Sequence, residues 1–538
     1  MLRLFILADK NCYKPKSMNK ACLLILLMCT LGIYPDCFGQ NLNKRSPQYS
    51  IAQPDLAIQS SQQELVEAFN WAKEKARFYV QTGKTGPLDA WERGAGSGNV
   101  SYLPTYWAGY PKRSAFYSRD FCHQLIGAHL LGLQEENFTM LKAFAASADA
   151  GKKWFPLWAI NFNGAAFLLD YHGNDNFVRE VPATFELVEK AYELYLWTGD
   201  ERYLKDEAIW QYCSKAVSDF IALHDQQLPN GIAEGTGKGI FQGAASYNEA
   251  QDAPLIESGD GIACQFKAFE AYAKMAALRG DTKLAKQFAK KAADLKVFFN
   301  QNWGITNTTT YNRGYTADGK AVDGWGKENS WFMLMKGITE GQQQRTQLYL
   351  DFIHQRLESK DDIPDNIEAI SYIPETFFLH QQNERAWKWM KHIITRLNQQ
   401  HSYQSATGRN GDYPEVSYVL IRNAVVDLLG IAPQASAHAL STLSHLPSEI
   451  DYVSLQNIRI GQSLVALKQE ATHTSTLTLQ AGDAPLIWQA GFPGVHQQAW
   501  VNGVKKNCRQ AKDPLGEVYS YCSLTVKPGE EMRVTVTR

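Results

Sequence analysis

Thr198-Gly199-Asp200-Glu201-Arg202-Tyr203-Leu204-Lys205 decides how this chain folds, because Arg279-Gly280-Asp281-Thr282-Lys283-Leu284-Ala285-Lys286 repeats its grammar. In both, a glycine follows the last residue of a helical pattern and an aspartate opens the next. Glycine takes the left-handed conformation that ends a helix, and an aspartate carboxylate accepts from the free N–H groups of a first turn. The building unit is therefore two helices joined by a tight turn.

Outward from these turns, helical periodicity recurs between residue 62 and about residue 430. The stretches are 62–80, 119–133, 135–148, 181–198, 201–223, 261–279, 282–300, 327–335, 341–358, 365–379, 385–397 and 415–429. Helix pairs of this length, separated by longer loops at one end, build a ring whose inner helices bury apolar faces against one another. The pattern then changes. Thr476-Leu477-Thr478-Leu479-Gln480 and Met532-Arg533-Val534-Thr535-Val536-Thr537 alternate as strands do, and Asn502-Gly503 between two such runs signals a hairpin. Residues 433–447, rich in Ala and Ser, read as a linker between a helical domain over 40–432 and a small antiparallel β domain over 448–538.

The first forty residues are not part of that fold. Lys20 precedes an apolar run from Ala21 to Ile33, with an exit at Cys37-Phe38-Gly39-Gln40, so 1–39 reads as a signal peptide if translation effectively begins at Met18. A periplasmic or secreted protein is expected. No later apolar run approaches the roughly 20 residues a bilayer span needs, and a formal charge of -1 gives no bulk attraction to nucleic acid or anionic membrane. Behind the leader remain Cys122, Cys213 and Cys264 in helical patterns, and Cys508 and Cys522, which flank a turn-rich stretch and suit one bridge in an oxidising compartment. Zinc-type spacings, phosphate loops and nucleotide fingerprints are lacking, so no metal and no cofactor is expected.

The long loops, rich in Gly, Tyr, Trp, Asn and Asp, recur about once per helix pair and would line one basin. Carboxylates are their commonest reactive groups, and 14 Trp with 25 Tyr and 25 Phe supply rings that stack on sugars. Glycosidic cleavage uses two carboxyl groups, one protonated and one ionised. Asp120 comes first, in Tyr117-Ser118-Arg119-Asp120-Phe121-Cys122-His123-Gln124 at the head of an apolar helix; its competing role is a first-turn acid paired with Arg119. Glu415 comes second, where Arg409-Asn410-Gly411-Asp412-Tyr413-Pro414 runs into the last helix. Arg119 and Arg409 are forks that suit a sugar carboxylate, and Trp325, Glu328, Glu368, Tyr372 and Tyr413 are candidate ring contacts. His123 and Tyr117 offer a different chemistry, a base and acid acting on a carbon acid.

Ser118-Arg119-Asp120-Phe121-Cys122-His123-Gln124, Phe177-Val178-Arg179-Glu180-Val181-Pro182-Ala183, Asp260-Gly261-Ile262-Ala263-Cys264-Gln265 and Tyr413-Pro414-Glu415-Val416-Ser417 together resemble the bacterial six-hairpin carbohydrate-active proteins. That resemblance implies a mainly α fold, an (α/α)6 toroid of helical hairpins followed by a β-sandwich-like domain. Within that group the chain is similar to exo-acting glucuronidases and to the oligosaccharide dehydratases of ulvan breakdown, which act on terminal uronic acids. The expected function is hydrolysis at the non-reducing terminal uronic acid of an oligosaccharide. Elimination of water from that sugar and non-catalytic glycan binding are the alternatives. The β domain beside the toroid also offers a surface for a homodimer.

Overall fold

Gly199, at φ +65°, ends the helix Val181–Thr198 with its N–H bonded to the Tyr195 carbonyl, and Asp200 accepts the Arg202 N–H at 2.9 Å. Gly280, at φ +85°, does the same after Gly259–Leu278, and Asp281 accepts from Leu284 N–H at 2.9 Å to open Thr282–Asn302. Both turns thus close helix pairs, as their sequence dictates. The structure is a computed structural model that describes residues 53–92, 94–248, 253–304, 310–402 and 408–537, all of them within the unit Tyr49–Arg538. The expected leader at 1–39 lies outside the described residues.

In chain order the helices that build the ring are α1 (Gln63–Phe78), α2 (Ser118–Leu130), α3 (Gln134–Ser147), α4 (Val181–Thr198), α5 (Glu207–Ala216), α6 (Gly259–Leu278) and α7 (Thr282–Asn302). They continue with α8 (Phe332–Met335), α9 (Gln343–Glu358), α10 (Ile367–Ser371), α11 (Ile373–Leu379), α12 (Asn383–Ile394) and α13 (Pro414–Arg422). α2, α4, α6, α8, the α10–α11 pair and α13 each pack on the next, and α13 closes on α2. The remaining helices alternate with them in sequence; α1 lies on α13, α3 on α5, α7 on α6 and α12 on α11. This is the six-hairpin toroid.

Burial separates the two layers. Every residue of α13 is buried, and every residue of α2 except Arg119, so these helices are enclosed on all sides, and their polar side chains, Asp120, His123, Gln124 and Glu415 among them, are enclosed with them. α12 instead buries Ala386, Trp387, Trp389, Met390 and Ile393 and leaves its other face polar. Where α2 crosses α13, a Cβ on Gly127 would stand 2.2 Å from the Tyr418 carbonyl oxygen. Only glycine lets the two backbones come this close, and that approach brings the starts of both helices together.

Some helical stretches differ from the pattern, each for a local reason. The 201–223 stretch breaks at Asp206, whose carboxylate caps a new helix through the Ala208 and Ile209 N–H groups. The 365–379 stretch divides at Tyr372, because Pro374 cannot donate the N–H a continuous helix requires. Of 327–335 only α8 is helical, since Lys327 takes a left-handed φ of +52°. The last stretch continues beyond α13 as a wide π turn, Asn423–Asp427, tied by the Asn423 amide donating to Asp427 at 2.8 Å.

The β region has two sheets. The strands are β1 (Ala57–Ser60), β2 (Ala432–Gln434), β3 (Ala439–Leu443), β4 (Tyr452–Ile460), β5 (Ser463–Glu470), β6 (Thr474–Ala481), β7 (Leu486–Pro493), β8 (Gln498–Val501), β9 (Val504–Asn507), β10 (Arg509–Lys512), β11 (Val518–Val526) and β12 (Glu531–Thr535). One sheet runs β1-β4-β5-β6-β12-β8-β9 and the other β10-β11-β7-β3-β2, antiparallel throughout except β3 against β7. Asn502-Gly503, both at positive φ, turn β8 into β9 with Val501 opposite Val504. The reading of 433–447 as a linker is corrected. That segment supplies β3, whose Leu440 and Thr442 point inward while Ala439, Ser441 and Leu443 are half exposed, an alternation that Ala and Ser content concealed. The β region also takes a strand from the other end of the described chain, because β1 pairs with β4. No described helix is long and apolar enough to cross a membrane.

Candidate active site

All inner helices of such a ring run the same way, so their N-termini gather at one end. Four of them begin with an acid in the first turn: Asp120 on α2, Asp260 on α6, Glu368 on α10 and Glu415 on α13. The partial positive charge of a helix N-terminus favours an acid there. Packing α2, α10 and α13 side by side then brings three carboxyl groups within electrostatic reach of one another.

Asp120 is 5 % exposed and accepts the Tyr413 hydroxyl on Oδ1 at 2.7 Å. Glu415 is 1 % exposed, lies beside the Tyr372 hydroxyl and accepts a hydrogen bond from Ser371 Oγ at 3.4 Å on Oε1. The amide oxygen of Gln124, oriented so that both ends are satisfied, accepts the Glu415 backbone N–H at 2.8 Å, and its nitrogen donates to the Trp107 carbonyl at 3.2 Å. Glu368 Oε2 lies 2.9 Å from Nε2 of His401, whose ring stacks on Tyr413 at 5.9 Å and 7°. Arg119 donates to the Tyr247 carbonyl at 3.0 Å and holds its charge beside both Asp120 and Glu415.

Burial pushes both carboxyl groups above their ordinary range, and by different amounts. Glu415 is raised well above 4.5, first by desolvation and then by the charge of Asp120. Asp120 is also raised by desolvation, but Arg119 and the Tyr413 hydroxyl oppose the shift by stabilising its ionised form. Of the two, Glu415 is therefore the carboxyl whose surroundings favour the proton more strongly, and Asp120 the one whose ionised form is better supported. Two carboxyl groups whose surroundings drive them apart in this way make an acid and a base at one pH.

A raised carboxyl has a stability consequence. The contribution of such a group is fully present below its unfolded value and is lost as pH rises through the folded one. Glu415→Gln removes that loss and is expected to raise the melting temperature at pH 8 while leaving it unchanged at pH 4. Thermal unfolding at both pH values checks this, and an equal change at the two would show that Glu415 ionises normally.

His123 and Tyr117 stand beside the cluster in other roles. The His123 ring packs edge-on against Tyr372 at 3.8 Å, with Nε2 3.5 Å from Glu186 Oε1, and burial lowers its pKa so that it stays neutral. The Tyr117 hydroxyl accepts from Arg113 at 2.7 Å, and Arg113 is itself paired with Glu92. Trp325 sits in the loop before α8, where its indole N–H donates to the Asp362 carbonyl at 2.7 Å and its ring packs on Trp331 and Phe352. Glu328 is half-buried in the same loop. Arg409 is the clear departure from expectation: it is exposed, at a turn following Gly408 at φ +83°, and only its backbone N–H reaches a carboxylate, that of Asp412. Asp252 and residues 403–407 of the neighbouring loops lie outside the described residues.

Sequence reasoning missed His401, Ser371, Gln124 and Tyr247. Tyr247 and Ser246 join the site through Asp260, whose Oδ2 accepts the Tyr247 N–H at 2.8 Å and the Ser246 hydroxyl at 3.0 Å. No signal at the level of residues marks these, because each is defined by a partner far away in the chain.

No protein family and no curated protein matches this chain by sequence. Solved structures do match. A GH78 family rhamnosidase of Bacillus sp. GL1 superposes with a TM-score of 0.57 at 12% identity, over 80% of this chain and 41% of that one. The fold is one that rhamnosidases share. An α-L-rhamnosidase from Dictyoglumus thermophilum gives 0.55 at 12% identity over 91% and 51%, and one from Aspergillus terreus 0.51 at 11% over 90% and 51%. The chain thus spans about half the length of the rhamnosidases it matches. At these identities the likeness is one of fold, a helical toroid with a β domain.

Proposed function

We propose that this protein is an exported carbohydrate-active enzyme, a glycoside hydrolase that releases the non-reducing terminal sugar of an oligosaccharide, with Glu415 as general acid and Asp120 as base or nucleophile. The observation that carries the reading is the buried pair itself: two carboxyl groups on adjacent inner helices, Glu415 pushed toward its protonated form by burial and by the charge of Asp120, and Asp120 with Arg119 and the Tyr413 hydroxyl supporting its ionised form. The toroid shared with structures titled rhamnosidases supports it as fold analogy. Tyr372 and Tyr413 orient the two carboxyl groups, and Glu368 with His401 backs the site.

The terminal sugar is a uronic acid in this reading, because Arg119 puts a fixed cation beside the pair at the mouth of α2. Arg409, on the surface, plays no part in holding that carboxylate. Arg119→Leu is expected to slow every substrate to the extent that Asp120 loses its neighbouring cation, and to weaken kcat/KM on glucuronate-terminated oligosaccharides by about a further hundredfold, the value of a charge-assisted hydrogen-bonded pair. Comparable loss on both would overturn the uronate assignment. The same assay reads the reaction: saturated free sugar supports hydrolysis, whereas a new ultraviolet absorbance from an unsaturated uronate would replace it with elimination. Binding without either product would leave a glycan-binding protein.

A further inference from the structure

We infer that Cys508 and Cys522 are the sites of an oxidative cross-link, a disulfide that clamps the part of the β region resting on the toroid. β10 pairs antiparallel with β11, with Arg509 opposite Tyr521 and Lys512 opposite Val518. One step further along the same ladder, Cys508 faces Cys522, and the two thiol sulfurs lie 3.4 Å apart. Cys522 points inward with Ser520 and Leu524, whereas Cys508 is half exposed at the edge of the sheet. Cys122, Cys213 and Cys264 are each buried in helices of the toroid, so among the described cysteines only this pair is matched.

What the bond would hold is specific. Between the two cysteines the chain turns over at residues 513–517, and this turn touches the toroid at two points. Gln381 donates to Asp513 at 2.5 Å, and Gln343 donates to Glu517 at 2.7 Å. Lys512, Asp513, Pro514, Tyr519 and Tyr521, all inside the loop the bond would close, also wall a cavity of about 460 Å³ whose other side is formed by Lys336, Glu375 and Arg422 of the toroid. Closing a loop of this size removes freedom from the unfolded chain. The bond thus steadies the seam between toroid and β region without touching the carboxyl cluster.

The chemistry needs an oxidant, and a small disulfide such as oxidised glutathione, or a dithiol–disulfide carrier protein, supplies it. The exposed Cys508, as thiolate, attacks one sulfur of the oxidant and displaces its first thiol. Cys522 then attacks the Cys508 sulfur of the mixed disulfide and displaces the second. Two electrons and the two thiol protons leave with the two released thiols, and one S–S bond joins the strands. Burial and the neighbouring sulfur push the Cys508 thiol up to about 12, so the exchange is faster at alkaline pH.

The test uses the full chain, folded, incubated with oxidised glutathione, alkylated without reduction and digested with trypsin. Cleavage after Lys506, Arg509, Lys512 and Arg533, the Lys527–Pro528 bond resisting trypsin, is expected to give Asn507–Arg509 joined to Asp513–Arg533, with the mass of the two peptides less two hydrogens. The joined peptide is expected to form faster at pH 9 than at pH 7. The oxidised protein is expected to melt several degrees higher than the reduced one, and Cys508→Ser to abolish this response to reductant. Separate, alkylated peptides, a lasting glutathione adduct on Cys508, or a Cys508→Ser variant that still responds to reductant would each overturn the inference.

Discussion

Glu415→Gln is expected to lower kcat by about a hundred- to ten-thousand-fold on an oligosaccharide, the range that one general acid contributes. The loss should be far smaller on a nitrophenyl glycoside, whose leaving group departs without a proton. The difference follows from the environment of Glu415, buried and placed against the charge of Asp120, both of which favour the protonated form that the leaving oxygen needs. Asp120→Asn removes the ionised member instead and is expected to cost a similar factor on both substrates. Steady-state rates on the two leaving groups decide between the roles. Equal losses on both substrates from Glu415→Gln would exchange the acid and the base.

The second large effect lies on the toroid axis rather than at the reacting pair. Lys336, 2 % exposed at its side chain, donates to Glu186 Oε1 at 2.5 Å and Glu189 Oε2 at 2.6 Å, and Glu186 Oε2 accepts the Tyr247 hydroxyl at 2.8 Å. Replacing Lys336 with Met leaves the buried Glu186 and the half-buried Glu189 without this cation, a change that costs about 3–5 kcal/mol when a buried pair is broken from one side. The lysine, with Lys190, holds Glu186 well below its ordinary range against burial, and Glu189 is lowered as well. Stability from a depressed carboxyl is present above its unfolded pKa and lost as pH falls through the folded one. The penalty of Lys336→Met should therefore be largest at neutral pH and shrink in acid. Urea unfolding at pH 7 and pH 4 measures it, and a change below about 1 kcal/mol at pH 7 would mean that water already reaches these groups. Since Glu186 lies 3.5 Å from the His123 ring that packs on Tyr372, the same variant should also disturb the acid.

The helical hairpins were legible because the devices that close them are local. Gly199 with Asp200 and Gly280 with Asp281 carry their structural meaning within two residues, and Asn502-Gly503 does the same for a strand pair. Asp120 and Glu415 were legible as first-turn acids of largely buried helices, a position that the helix N-terminus favours for any acid. What stayed hidden depends on partners far away. His401 reads as one histidine in a loop until Glu368, 33 residues earlier, is seen against it. Trp325 looks like a sugar platform in sequence, yet its polar edge is taken by the Asp362 carbonyl 37 residues on. Arg409 shares a motif with Tyr413 and Glu415, but the backbone at Gly408 and Arg409 leaves its side chain at the surface. Residues 433–447 failed differently: Ala and Ser carry too little hydrophobic contrast for alternation to show, although β3 has it.

The pairing of β1 with β4 has a consequence for biogenesis. Ser60 donates its hydroxyl to the Tyr452 carbonyl across 392 residues, so the first described strand is synthesised long before its neighbour exists. Contacts of such long reach form late. A ribosome-bound intermediate would keep that strand unsatisfied, available to a chaperone and still threadable, until Tyr452–Ile460 emerges to pair with it.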